Sequence, residues 1–286
     1  MDDFRELLSL EYWRTHRLES AYVATGLVLF VFFLFATFPY ANILSAVLAP
    51  MGVRVSSAGQ SIAIPIGAKL YNVRISPDAP GARPLFASES VHVAPALLSM
   101  LLLQPGIRAS ADAYQGTIQI SAHRSGAGTA LNFSARKVNL AGYEALRALG
   151  VALGGTLDAT GSVVVIPEAP LSDSGTVHLI ATGLEGRMKG SMPALKLGTL
   201  DASMSLDKGV LRLSSLKTSG GDLAINGSGN IRIAPNLRDS RLALHFTLLP
   251  APTARMKLAF LLGLLPHPPG TRPYTLGGTI GSPTLS

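Results

Sequence analysis

Apolar and polar positions along this chain follow two regimes that change over near residue 50. From Ala21 to Phe38 the residues AYVATGLVLFVFFLFATF are almost continuously apolar, and no charge occurs between Glu19 and Arg54. That is the length a helix needs to cross a hydrocarbon core of ~30 Å. Further on, branched residues take every second position, as in Ile62-Ala-Ile64-Pro-Ile66 and Val73-Arg-Ile75. A period of two is that of a half-buried strand. The alternation is clearest in Leu211 and Leu213, Leu223 and Ile225, Ile231 and Ile233, and Leu242, Leu244 and Phe246. These nine residues are the candidate apolar groove or partner-binding face. Gly209, Gly220, Gly221, Gly227 and Gly229 punctuate the strands, and Asp207-Lys-Gly209 suits a tight hairpin.

A loose repeat reinforces the strand reading. Gly116-Thr-Ile118, Gly155-Thr-Leu157, Gly175-Thr-Val177, Gly198-Thr-Leu200 and Gly278-Thr-Ile280 share one form, read as a strand start in a meander of similar hairpins. Their spacing is irregular, which excludes a strict solenoid. Three short helices interrupt the pattern: an apolar one over 95–103, one capped by Asn139 that contains Tyr143, Leu146 and Leu149, and one capped by Thr253 that runs to Leu265. The expected fold is mainly β: one N-terminal transmembrane helix, then a curled or sandwiched antiparallel sheet of ~15 strands with a few short helices. Sandwich packing is the default way to cover its apolar face. The expected organisation is a cytoplasmic leader over 1–19, a transmembrane helix over 20–40 and an exported β-rich domain over 41–286.

Charge placement orients the span. Arg14 and Arg17 precede it, whereas residues 39–53 hold no Lys or Arg, so the positive-inside bias keeps the N-terminus cytoplasmic. In a bacterium the remainder is then periplasmic and the anchor sits in the inner membrane. Cleavage after Ala41 would put Pro39 where a small residue is required, which favours an uncleaved anchor over a signal peptide. The formal charge of +7 comes from 24 basic and 17 acidic residues. The bases are scattered singly without interleaved aromatics, so nucleic acid is not an expected partner.

Candidate chemistry is sparse. The chain has no cysteine, which excludes disulfides and thiol nucleophiles. His16, His92, His123, His178, His245 and His267 are isolated in sequence, and none forms a helical zinc motif. Three of them, His92, His178 and His245, fall on the polar positions of alternating segments. Gly150-Val-Ala-Leu-Gly154-Gly155 lacks the lysine of a phosphate loop and reads as the end of a helix. Asp158 and Asp201 occupy matching repeat positions, for which strand-end roles are simpler than acid–base work. No catalytic residue, metal or cofactor is expected.

Three segments carry a family resemblance: Phe86 to Met100 as a strand followed by an apolar helix, Ala113-Tyr-Gln-Gly-Thr-Ile118 as an aromatic-x-Gly strand start, and Tyr274 to Leu285 as a closing Gly-Thr-x-x-x-Pro element. With the anchor, these make the chain resemble the type II secretion system protein N family. Membership would imply a non-enzymatic inner-membrane accessory of the machine that exports folded periplasmic proteins, with other secretion subunits as partners. The repeats are also similar to AsmA-like proteins, which would imply an apolar β-groove and phospholipid as the partner. Those proteins are typically much longer, which favours the secretion reading.

Overall fold

A computed structural model describes residues 53–63, 67–77, 84, 86–95, 106–126, 128–143, 151–166, 173–188, 194–234, 239–263 and 265–286, together with Tyr22, Thr25 and Gly26, which are helical. Apart from those three, the expected leader, the span over 20–40 and residues 96–103 of the helix expected over 95–103 lie outside the described residues, and Pro95 ends a strand instead. Among the described residues no helix is long and apolar enough to cross a membrane.

The described strands form one antiparallel sheet of 15 strands. Strands β1 (Val53–Ser56) and β2 (Gly59–Ile62) lie end to end along the same side of β3 (Ala68–Pro77). From there the chain runs back and forth through β4 (Phe86–Pro95), β5 (Gly106–Ala113), β6 (Gly116–Ser125), β7 (Gly128–Asn139) and β8 (Val151–Val165). It continues through β9 (Ser174–Met188), β10 (Leu195–Asp207), β11 (Val210–Ser219), β12 (Leu223–Arg232) and β13 (Arg241–Pro250), and closes with β14 (Tyr274–Thr279) and β15 (Ser282–Leu285). From β3 onward each strand pairs with its neighbours in sequence. The expected mainly-β class therefore holds, with one continuous sheet in place of two stacked ones. A sandwich needs strands that leave one sheet for the other, whereas tight connections such as Tyr114-Gln115 and Lys208-Gly209 keep successive strands side by side.

The turns follow from local chemistry. Lys208 (φ 50) and Gly209 (φ 72) both adopt the left-handed conformation of a two-residue hairpin turn whose twist matches its strands, as Asp207-Lys-Gly209 promised. Tyr114 (φ 53) and Gln115 (φ 62) do the same without a glycine, against the usual steric preference. Side-chain contacts hold this turn. The Ala87 N–H donates to Tyr114 Oη at 3.0 Å, and the Tyr114 ring meets Phe86 and Tyr143 edge-on at 6.2 and 5.8 Å.

Two expected helices are revised. Asn139 does cap, with Oδ1 accepting from the Ala141 N–H at 3.0 Å, but what it caps is a 3-10 turn over Leu140–Gly142. Tyr143 is already extended, and 144–150 lie outside the described residues. The segment after Gly150, read as a helix end, is the start of β8. The C-terminal helix α1 (Arg255–Gly263) is present, but Thr253 sits inside the preceding 3-10 turn (Pro252–Ala254), whose cap position is Ala251.

The Gly-Thr repeat also plays two roles. Gly116 and Gly175 stand at strand starts, whereas Gly155 (φ 114) and Gly198 (φ 73) lie inside long strands where the pairing register shifts. A positive-φ residue there lets the strand absorb an extra residue and rejoin its neighbour in phase. At Gly198 a Cβ would also strike the Ser219 carbonyl oxygen, while at Gly183 (φ 62) nothing lies within 4 Å. Gly183→Ala should therefore cost only the left-handed penalty of about 1–2 kcal/mol. Gly198→Ala adds a backbone clash and should cost roughly 3 kcal/mol or more, read as the difference between the two urea midpoints.

Candidate functional site: the apolar face of the sheet

Residues directly opposite each other on adjacent strands share a face, so the register shows which side chains align. One row reads Ala68, Val93, Ala109, Ile120, Phe133, Gly161, Val177, Met204, Leu213, Gly229, Leu244, Leu276 and Leu285. It crosses every strand from β3 to β15 without a polar residue, a width of roughly 58 Å at the usual strand spacing. The adjacent row runs from Leu70 and Val91 through Ala111, Ile118, Ala135, Ala159, Leu179, Ala202, Leu216 and Gly227 to Phe246 and Tyr274. A third row places Leu211, Ile231 and Leu242 side by side.

The nine candidate residues all fall on this face. Leu211, Ile231 and Leu242 stand in the third row, Leu213 and Leu244 flank Gly229, and Phe246 is opposite Gly227. Ile225 and Leu223 face Leu248 and Pro250 farther along β12 and β13, and Ile233 follows β12 on the same alternation. Every one of the nine is half-buried. Arg14 and Arg17 lie outside the described residues.

Cover on the face is uneven. Toward the first edge, Leu70 and Val73 are 0% and 1% exposed in a cluster with Ala68, Val91, Val93 and Ala111, against which Val55, Phe86 and Ala109 pack. Leu70 and Val73 share that cluster although three residues apart, because Asn72 at φ 50 turns the strand between them. Toward the last edge Tyr274, 0% exposed, stacks on Phe246 at 5.6 Å and on His267 at 4.1 Å, and its hydroxyl donates to the His267 carbonyl at 2.7 Å. Leu248 and Leu258 are buried nearby. Between these ends Val138, Ala181, Leu184 and Ala202 are buried, the rest of the face is largely half-buried, and Ile120 is 47% exposed. Where glycines interrupt the rows, larger neighbours close over them. The Phe133 ring occupies the space a Cβ on Gly161 would need, 2.5 Å away, and Phe246 leans over Gly227.

The opposite face is polar. Lys69, His92, Ser110, Gln119, Ser134, Thr160, His178, Ser203 and Ser215 form one row across it. His92, His178 and His245 are exposed there, as their alternation implied, and His245 pairs its Nδ1 with Thr275 Oγ1 at 3.2 Å. Ser203, His178 and Asp201 are the residue types of a nucleophilic triad, but the geometry is unsuited to one. Ser203 Oγ at 3.0 Å and Asp201 Oδ1 at 3.7 Å both approach the same nitrogen, Nδ1, whereas a relay needs one partner on each ring nitrogen. Asp158 and Asp201 flank Ile180 from either side, and Asp158 Oδ1 accepts the Lys137 N–H at the β7 bulge. They form no carboxylate pair.

Clefts among the described residues are open. One, of about 670 Å³, lies between β3 and the β5–β6 turn, with Arg74, Glu89, Asp112 and Thr117 on its walls. Another, about 510 Å³, is lined by Thr160, Ser162, Thr176, His178 and Ser203. Among the described residues no group of His, Asp and Glu could hold a metal ion. Pairing register and the Tyr274 stack escaped the sequence reading: Tyr274 was legible only as part of a closing motif, with no signal that two rings enclose it. No family model matches the chain, and neither a curated protein nor a solved structure is similar to it.

Burial raises the Tyr274 phenol above its ordinary value of 10.0, because desolvation disfavours the phenolate. The folded state then holds that proton more tightly than the unfolded chain. This contribution is complete below pH 10 and is lost as the pH rises through the folded value. Tyr274→Phe should reduce the alkaline loss of stability above pH 10 in urea melts while costing about 1 kcal/mol at neutral pH through the missing hydrogen bond.

Proposed function

We propose that this chain is a non-enzymatic, single-span accessory of a type II protein secretion system, held in the bacterial inner membrane with its sheet in the periplasm. The apolar face of that sheet meets other secretion subunits. The observation that carries the reading is the unbroken apolar row from β3 to β15, half-buried over its middle. An apolar surface of that extent marks an interaction site. Agreement between the family-like segments and the architecture supports it. Phe86 opens β4, Tyr114 makes the β5–β6 turn against Phe86, and Tyr274 opens the closing hairpin. The reading assigns no catalytic role, and the mismatched Ser203–His178–Asp201 geometry is consistent with that.

One observation favours a second reading, an AsmA-like module that binds or transfers phospholipid. Among the described strands no second sheet covers the face, and acyl chains are apolar enough to replace one. A photoreactive amino acid at Leu213 or Leu244 in the full chain, activated in intact cells, separates the two. The secretion reading expects crosslinks to secretion-system proteins from both positions and none from Thr160 on the polar face. Crosslinks to phospholipid alone would replace it with the lipid reading. Leu213→Asp and Leu244→Asp should each reduce co-purification of the partner at least about tenfold, since an unpaired buried charge costs several kcal/mol.

A further inference from the structure

The two edges of the sheet differ in what they offer another strand. At the last edge Thr275 and Ser286 exchange both backbone hydrogen bonds, at 2.8 and 3.0 Å. Bonded pairs alternate along an antiparallel ladder, so Pro283 and Leu285 turn their backbone groups outward. Proline has no N–H to donate, and a proline at an outward position guards an edge against pairing.

Among the described residues the first edge carries no such guard. Just after β2 the Ala63 N–H donates to the Gly67 carbonyl at 3.0 Å, where the hairpin to β3 closes. The same alternation makes Ser61–Lys69 and Gly59–Tyr71 the bonded pairs, so Gln60 and Ile62 direct their N–H and C=O groups away from β3. Both side chains are exposed, Ile62 by 47%. Ile62 faces Ala68 and so continues the first apolar row to the outermost strand, whereas Gln60, opposite Leu70, ends the adjacent row with a polar side chain.

These positions are self-complementary. We propose that a second copy of this chain pairs on this edge, β2 against β2 and antiparallel, about a twofold axis at Ser61. Gln60 of each copy then exchanges two backbone hydrogen bonds with Ile62 of the other. The apolar faces join into one surface, and the exposed Ile62 gains a neighbour. A twofold contact uses the same patch on both copies and closes at two, and the guarded β15 edge prevents growth into a fibre. The pairing stands on edge chemistry alone and does not depend on the secretion or the lipid reading.

Because the chain has no cysteine, Ser61→Cys introduces a single thiol at the axis. The two Cα atoms would lie ~4.5 Å apart in a non-bonded pair, inside the range a disulfide bridges. Mild oxidation of full-length Ser61→Cys in membranes should give a covalent dimer, whereas Thr284→Cys on β15 should stay monomeric. Gln60→Pro removes one outward N–H without touching a β2–β3 bond. It should cut the crosslinked fraction at least about tenfold and return the otherwise unmodified chain, sized by light scattering in detergent, from dimer to monomer. Failure of Ser61→Cys to crosslink with strand content intact by circular dichroism, or a monomeric mass for the unmodified chain, overturns the proposal.

Discussion

Everything in this molecule depends on cross-strand register. Because strand side chains alternate with a period of two, one slipped residue between any two strands would send the apolar set of one of them to the polar face. The row from Ala68 to Leu285 survives every junction from β3 to β15. It does so although the register shifts near Gly155, Gly198 and Lys137. Those irregularities sit where φ is positive and where a side chain such as Asp158 takes up the displaced N–H. They act as phase corrections: long strands drift, and a bulge restores the shared face.

The same constraint explains how apolar character is distributed. A single antiparallel sheet satisfies backbone hydrogen bonds everywhere except at its edges, but it cannot bury its own apolar face. Cover is densest around Leu70 and around Tyr274; between them Val138, Ala181, Leu184 and Ala202 are buried and most of the face is half-buried. The polar face needs no such cover, since water already satisfies its hydroxyls, amides and charged groups.

Much of this was legible in the residues. Alternation in Leu211, Leu213, Ile231, Ile233, Leu242 and Leu244 identified strands and their apolar side, because a period of two has one physical cause. Asp207-Lys-Gly209 identified its turn because few residue types tolerate positive φ. Helices fared worse. Asn139 offers the same side-chain acceptor to a 3-10 turn as to a helix, so its capping chemistry could not set the length. Gly155 and Gly198 were misread as strand starts because glycine followed by threonine suits a bulge equally well.

The sequence by itself determined the strand content, the alternation and most of the turn chemistry, all of which depend on residues a few positions apart. Only the tertiary structure decided that the strands form one sheet, that the Leu and Ile pairs align into common rows, and that Tyr274 lies enclosed between Phe246 and His267. Those outcomes rest on register between distant segments, and register is a property of pairs of strands that neither strand carries alone.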